Sequence, residues 1–135
     1  MFGRKHIKPK NRIDSLIGAD TKVEGNISFT GGLRVDGEVN GNIVAVPGKP
    51  STLVLSEHGR VNGEISVTHL MLNGEVEGPV RAAEYLELQS KAKVTGSVHY
   101  KTLEIQLGAI IEGRLLRMPD PVSDKVVTLK MNNSD

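Results

Sequence analysis

Cysteine and tryptophan are absent from this chain, and only two phenylalanines and two tyrosines occur among its 135 residues. Without cysteine there is no disulfide framework and no thiolate zinc site, a usage that agrees with a reducing cytoplasm. Without large rings a compact globular core loses its usual filling. The hydrophobic 38% must therefore be buried as Val, Ile and Leu, types that favour strands. No run of 18 or more apolar residues exists, so no membrane-spanning helix is expected. The basic N-terminus is not followed by the apolar stretch of a secretory signal. No Walker motif is present either, so nucleotide-driven assembly has no support and no cofactor is expected. The length leaves room for one domain.

The formal net charge of +1 hides an uneven distribution. Arg4, Lys5, Lys8, Lys10 and Arg12 give residues 1–12 a charge of +5, whereas residues 13–118 carry −3 and residues 119–135 carry −1. A basic arm on a mildly acidic body points to an anionic partner for the arm alone.

What the chain does have is a repeat. The unit apolar-x-Gly-x-apolar occurs at Val23–Ile27, Val39–Ile43, Val61–Ile65, Val76–Val80, Val94–Val98 and Ile111–Leu115. Its first residues are spaced by 16, 22, 15, 18 and 17. Upstream of these units, alternating pairs recur as Leu33/Val35, Leu53/Leu55, Leu70/Leu72, Leu86/Leu88 and Leu103/Ile105, with Gly37 and Gly74 closing the two shorter repeats. Strict alternation denotes strands with one buried face. A period of about 17 residues is too short for a helical crossover between parallel strands. The chain must coil, laying each rung on the last, as a single-domain, all-β parallel β-helix over residues 13–118. Six rungs spaced by about 4.8 Å make a rod on the order of 30 Å long.

The spacing of 22 is absorbed by a turn-rich loop at residues 46–52. Glycines 25, 41, 63, 78, 96 and 113 are expected in one column at a tight corner. The residue before each unit is Lys22, Glu38, Arg60, Glu75, Lys93 and then Ile110, so five stacked positions alternate in sign before an apolar sixth. Such a ladder helps to set register, although exposed pairs contribute only about 0–1 kcal/mol each.

A stacked repeat leaves open ends, which solenoids ordinarily cover with polar capping rungs. Here the last rung carries Leu103, Ile105, Leu107, Ile110, Ile111 and Leu115, apolar at inward and outward positions alike. A cap from the tail, residues 119–135, is the bland alternative; there Val127, Leu129 and Met131 alternate weakly. Uncapped, this rung is a candidate polymerisation interface, because an open end templates further stacking.

The repeated Val-x-Gly-x-Ile units, the scarcity of aromatics, the six rungs and the short tails closely resemble the bactofilin family over residues 13–118. The resemblance implies a right-handed β-helix of triangular section, with short flexible N- and C-terminal tails. It further implies a homopolymer that assembles end to end, without nucleotide, into non-polar filaments. Such a protein is expected to be cytoplasmic, peripheral at the inner face of the cytoplasmic membrane, serving as a scaffold that positions cell-wall enzymes and affects cell shape. A peptidoglycan hydrolase or synthase is thus an implied partner. Met1-Phe-Gly-Arg-Lys5 is similar to the family's membrane-targeting arm. Met1 and Phe2 would insert shallowly while Arg4, Lys5 and Lys8 meet anionic lipid. Nucleic acid is not expected, since no aromatic platform accompanies the basic arm.

Two other classes share parts of this pattern. A left-handed β-helix acyltransferase needs sixes and a general-base histidine. The units here vary between 15 and 18 outside the loop, and His58, His69 and His99 carry no motif. No enzymatic activity and no metal site are therefore expected. A non-filamentous adaptor for a membrane or peptidoglycan enzyme shares every feature of the rod except its assembly.

Overall fold

A computed structural model of the chain describes residues 12–119. Within them every regular element is a strand, and every strand pairing is parallel. The strands form three columns of six, one for each face of the rod. The first face stacks β1 (Ser15–Ile17), β4 (Gly31–Val35), β7 (Ser51–Leu55), the second half of β9 (Ile65–Leu72), the second half of β11 (Val80–Leu88) and β14 (Leu103–Ile105). On the second lie β2 (Lys22–Glu24), β5 (Glu38–Asn40), β8 (Arg60–Asn62), β10 (Glu75–Glu77), β12 (Lys93–Thr95) and β15 (Ile110–Glu112). The third stacks β3 (Ile27–Phe29), β6 (Ile43–Ala45), the first halves of β9 and β11, β13 (Val98–Tyr100) and β16 (Leu115–Arg117). The parallel β-helix of about six rungs is thus what the structure contains.

Register follows the sequence unit. Val23, Val39, Val61, Val76, Val94 and Ile111 pair successively in one column. The four central members are fully buried and the two end members are half-buried. Leu53, Leu70 and Leu86, with Leu55, Leu72 and Leu88, form two further ladders without solvent exposure. Each unit straddles a corner, with its first apolar residue inside the second face and its last inside the third.

From the second rung onward the glycine between them has no room for a side chain. A methyl group on Gly63 would lie 2.2 Å from the carbonyl oxygen of Gly41, and the same collision recurs from Gly41 through Gly113. Backbone φ at Gly63 is +154°, a region that L-residues avoid. Gly25 shares the positive φ, +134°, but has nothing within 4 Å of its missing side chain.

The corner between the first and second faces is built differently. Four-residue turns occupy it in rungs one, three, five and six, closed by bonds such as Gly59 N to Ser56 O at 2.9 Å. In rungs two and four it shrinks to Asp36-Gly37 and Asn73-Gly74. Gly74 sits over the turn below, where a methyl would meet the carbonyls of Ser56 and Gly59 at 2.3 and 2.4 Å.

The loop at the third corner is shorter than the sequence suggested. Ser51 and Thr52 belong to β7 and are buried, leaving residues 46–50 as the connection. Ser51 can be interior because its hydroxyl is satisfied: Oγ donates to Thr68 Oγ1 at 3.1 Å and accepts from Thr68 N at 3.0 Å. The charge ladder has the expected register, but one ion pair within it closes, Arg60–Glu75 at 3.8 Å. Lys22 instead meets Glu24 of its own strand at 3.6 Å.

The glycine column makes a graded prediction. Gly25→Ala should cost about 1–3 kcal/mol, the strain of its backbone alone. Gly63→Ala adds a backbone collision and should cost more, enough to broaden or abolish the unfolding transition. Thermal melts followed by circular dichroism check this order.

Candidate functional site: the open ends of the rod

Within the rod each inward side chain is covered by its counterparts above and below, and at the termini one cover is missing. At the C-terminal end the last rung pairs Leu103 with Leu86, Ile105 with Leu88, Ile111 with Val94 and Leu115 with Val98. Leu88 and Val98 are 0% exposed, whereas Ile105 is 47% and Leu115 43% exposed. The last rung therefore differs from its counterparts in having no further rung over it among the described residues. Leu103 and Ile111 are half-buried in the same surface.

The other two residues named from sequence sit on its rim. Ile110 points outward above Lys93, in register with the charge ladder, and is half exposed. Leu107 lies at the tip of the turn at residues 106–109 and is 95% exposed. The structure thus gathers Leu103, Ile105, Ile111 and Leu115 into one apolar slice, with Leu107 and Ile110 at its edge. One charged side chain stands at an inward register of this rung. Arg117 occupies the register of Tyr100, and its Nε donates to the Lys101 carbonyl at 3.1 Å.

The N-terminal end is equally open, which the sequence reading did not single out. Ile17, Val23, Ile27 and Phe29 are half-buried there, and Leu16 is exposed beside them. The signal was present, since Val23-x-Gly-x-Ile27 is an ordinary inward unit with no polar cap before it. The chain enters this end alongside Gly32. Asp14 N donates to Gly32 O, and its carboxylate accepts from Gly32 N, both at 2.9 Å. That amide, aided by the Arg12 guanidinium, holds the Asp14 carboxyl below its ordinary range. The arm itself, with Met1, Phe2, Arg4, Lys5 and Lys8, lies outside the described residues, as does the tail that could cap the last rung.

The three histidines of the described flanks lie on different elements. His58 lies on the turn at residues 56–59, His69 on the first face and His99 on the third, so the rod separates them. Among the described residues no three His, Asp or Glu side chains are placed to hold a metal ion. One polar cluster does stand on the first face. The Tyr85 hydroxyl donates to Glu104, while Gln106 Nε2 at 3.2 Å and Gln89 Nε2 at 3.4 Å donate to Glu87. The bond to Glu104, then desolvation and the two carboxylates, push the Tyr85 phenol up to about 12.

Comparison with known proteins agrees with this geometry. The bactofilin family model, described as polymer-forming cytoskeletal, matches residues 15–116. Bactofilin BacP of Myxococcus xanthus is 24% identical over 116 residues, covering 85% of this chain. The chain spans about half the length of that relative, 47%. Among solved structures, the bactofilin of Thermus thermophilus, seen in double helical filaments, matches with a TM-score of 0.65 at 24% identity. The match covers 77% of this chain and 99% of that one.

The Tyr85 cluster is open to titration. In a spectrophotometric titration Tyr85 should ionise near 12, above the ordinary 10, and Glu104→Gln should bring it down. Because the folded value is raised, its stabilising contribution is whole below pH 10 and is lost as pH rises through 12.

Proposed function

The chain belongs to the bactofilin family, and on that premise we propose that it polymerises end to end, without nucleotide, into non-polar filaments. The observation that carries this reading is the C-terminal slice, where Ile105 and Leu115 stand half exposed in registers that are fully buried one rung below, at Leu88 and Val98. A second rod set against that slice supplies the missing rung. Burying apolar surface contributes about 25 cal/mol per Å² before the cost of association, so a small end contact is reversible alone. The double helical filaments of the Thermus relative support filament formation here. The role is structural rather than catalytic: a scaffold at the inner face of the cytoplasmic membrane that positions cell-wall enzymes and so affects cell shape.

Attachment to the membrane falls to the arm. The described chain begins at Arg12–Asp14, at the rim of the N-terminal end, and that is where the arm joins it. Each cation near anionic lipid contributes about 1 kcal/mol, and a filament that carries many arms multiplies weak single contacts.

Two outcomes test these assignments. Ile105→Arg should leave the circular dichroism of the rod intact while light scattering falls from polymer to monomer or dimer. Filaments of undiminished length would place the contact elsewhere. Removing residues 1–8 should abolish sedimentation with anionic liposomes without shortening filaments. Undiminished pelleting of the truncated chain would assign the membrane no role for the arm.

A further inference from the structure

We propose that the second face of the rod is a lateral docking surface for another copy of this chain, set face to face and antiparallel. This goes beyond end-to-end assembly, because it concerns the flank and not the ends. The outward column of that face runs Lys22, Glu38, Arg60, Glu75, Lys93, Ile110 in strict register. A copy turned end for end about an axis along the strands presents the same column in reverse order. Glu38 of each copy then faces Lys93 of the other, and Arg60 faces Glu75. Lys22 meets Ile110, so no like charges oppose each other anywhere in the column.

The neighbouring outward column behaves in the same way. It runs Glu24, Asn40, Asn62, Glu77, Thr95, Glu112. On reversal Asn62 meets Glu77 and Asn40 meets Thr95, both hydrogen-bonding pairs, and only the outermost Glu24 and Glu112 repel. Parallel docking is poorer. It sets the first column against the second at equal height and brings Glu75 onto Glu77 at mid-rod.

The charges on this face are also available. Arg60–Glu75 and Lys22–Glu24 are loose pairs at 3.8 and 3.6 Å, while Glu38 and Lys93 take part in no ion pair among the described residues. A second copy would match both. On the first face, by contrast, Arg34 is held by Asp36 at 2.9 Å, Glu87 by two glutamines and Glu104 by Tyr85. The loop at residues 46–50 joins the third face to the first, so it lies at the corner away from the second face, which is bordered instead by the four-residue turns.

Electron microscopy of the full chain tests this through filament width. Paired filaments should appear at about 50 mM salt and separate at about 1 M, where the screening length shrinks to about 3 Å. Lys93→Glu should give single filaments of unchanged length at low salt, and adding Glu38→Lys should restore the pairs. That double variant stacks three cations and then two anions within its own chain, so recovery cannot come from repair inside the rod. Lys93→Glu filaments that stay paired, or a double variant that stays single, would overturn the proposal. Failure to form any filament would refute end-to-end assembly alone, and cross-linking then decides the lateral contact. The chain has no cysteine, so Glu38→Cys and Lys93→Cys proteins can be mixed and treated with a short bis-maleimide. Mixed dimers in excess over homodimers are expected; homodimers in equal or greater yield would overturn it.

Discussion

Backbone hydrogen bonds between successive rungs run along the rod, and they hold only if every coil returns to the same three columns. At the glycine corner the bonds Gly41 N to Asn62 O, Gly63 N to Glu77 O and Gly78 N to Thr95 O repeat at 2.9–3.0 Å. Every other property is subordinate to this requirement. An inward residue lies on its counterpart at about strand spacing, so Val covers Val and Leu covers Leu. A corner in which backbones approach this closely admits no side chain, hence glycine. Irregularity is confined to places where no next strand must be matched, such as the loop at residues 46–50 and the four-residue turns.

The same requirement explains why ends and flanks differ chemically. Along the flanks the ladder closes on itself and outward positions are free to carry charge, hydroxyl or amide. Asn40 and Asn62 use that freedom to bond along the axis, Asn62 Nδ2 to Asn40 Oδ1 at 2.6 Å. At the ends an interior ladder simply stops. Nothing distinguishes Ile105 from Leu88 in kind, only in being last, so its exposure records an interaction the chain cannot complete among its described residues. A repeat fold therefore makes adhesive surface automatically unless a polar rung is added. Here Arg117 is the one charged side chain at an inward register of the last rung.

Much of this was legible in the sequence because one column repeats almost unchanged. Six units of apolar-x-Gly-x-apolar carry register, rung number and the glycine corner together, and the alternating leucine pairs carry the first face. The third face was harder to read. Its second inward column runs Phe29, Ala45, Val67, Ala82, Tyr100 and Arg117, a mixture of sizes without a recognisable type. Bulk there is balanced between neighbours, large beside small, which no single position reveals. Ser51 and Thr52 were misread as loop because hydroxyls look exposed until a partner such as Thr68 is known. Of the candidate interface, the apolar slice was visible in the composition of the last rung, whereas the open N-terminal end was hidden by its very regularity.

The glycine column has a direction as well as a position. The missing side chain of each member points toward the rung that precedes it in sequence, and at Gly25 it points at no part of the rod. During translation that preceding rung has always been made first, so each coil leaves the ribosome opposite a finished template. With roughly 17 residues to a rung and about 5–20 residues added per second, a new coil is delivered every one to three seconds or so. Strand pairing takes on the order of microseconds. A rod of nearest-neighbour contacts can therefore be completed vectorially, and of its two open ends the C-terminal slice is made last.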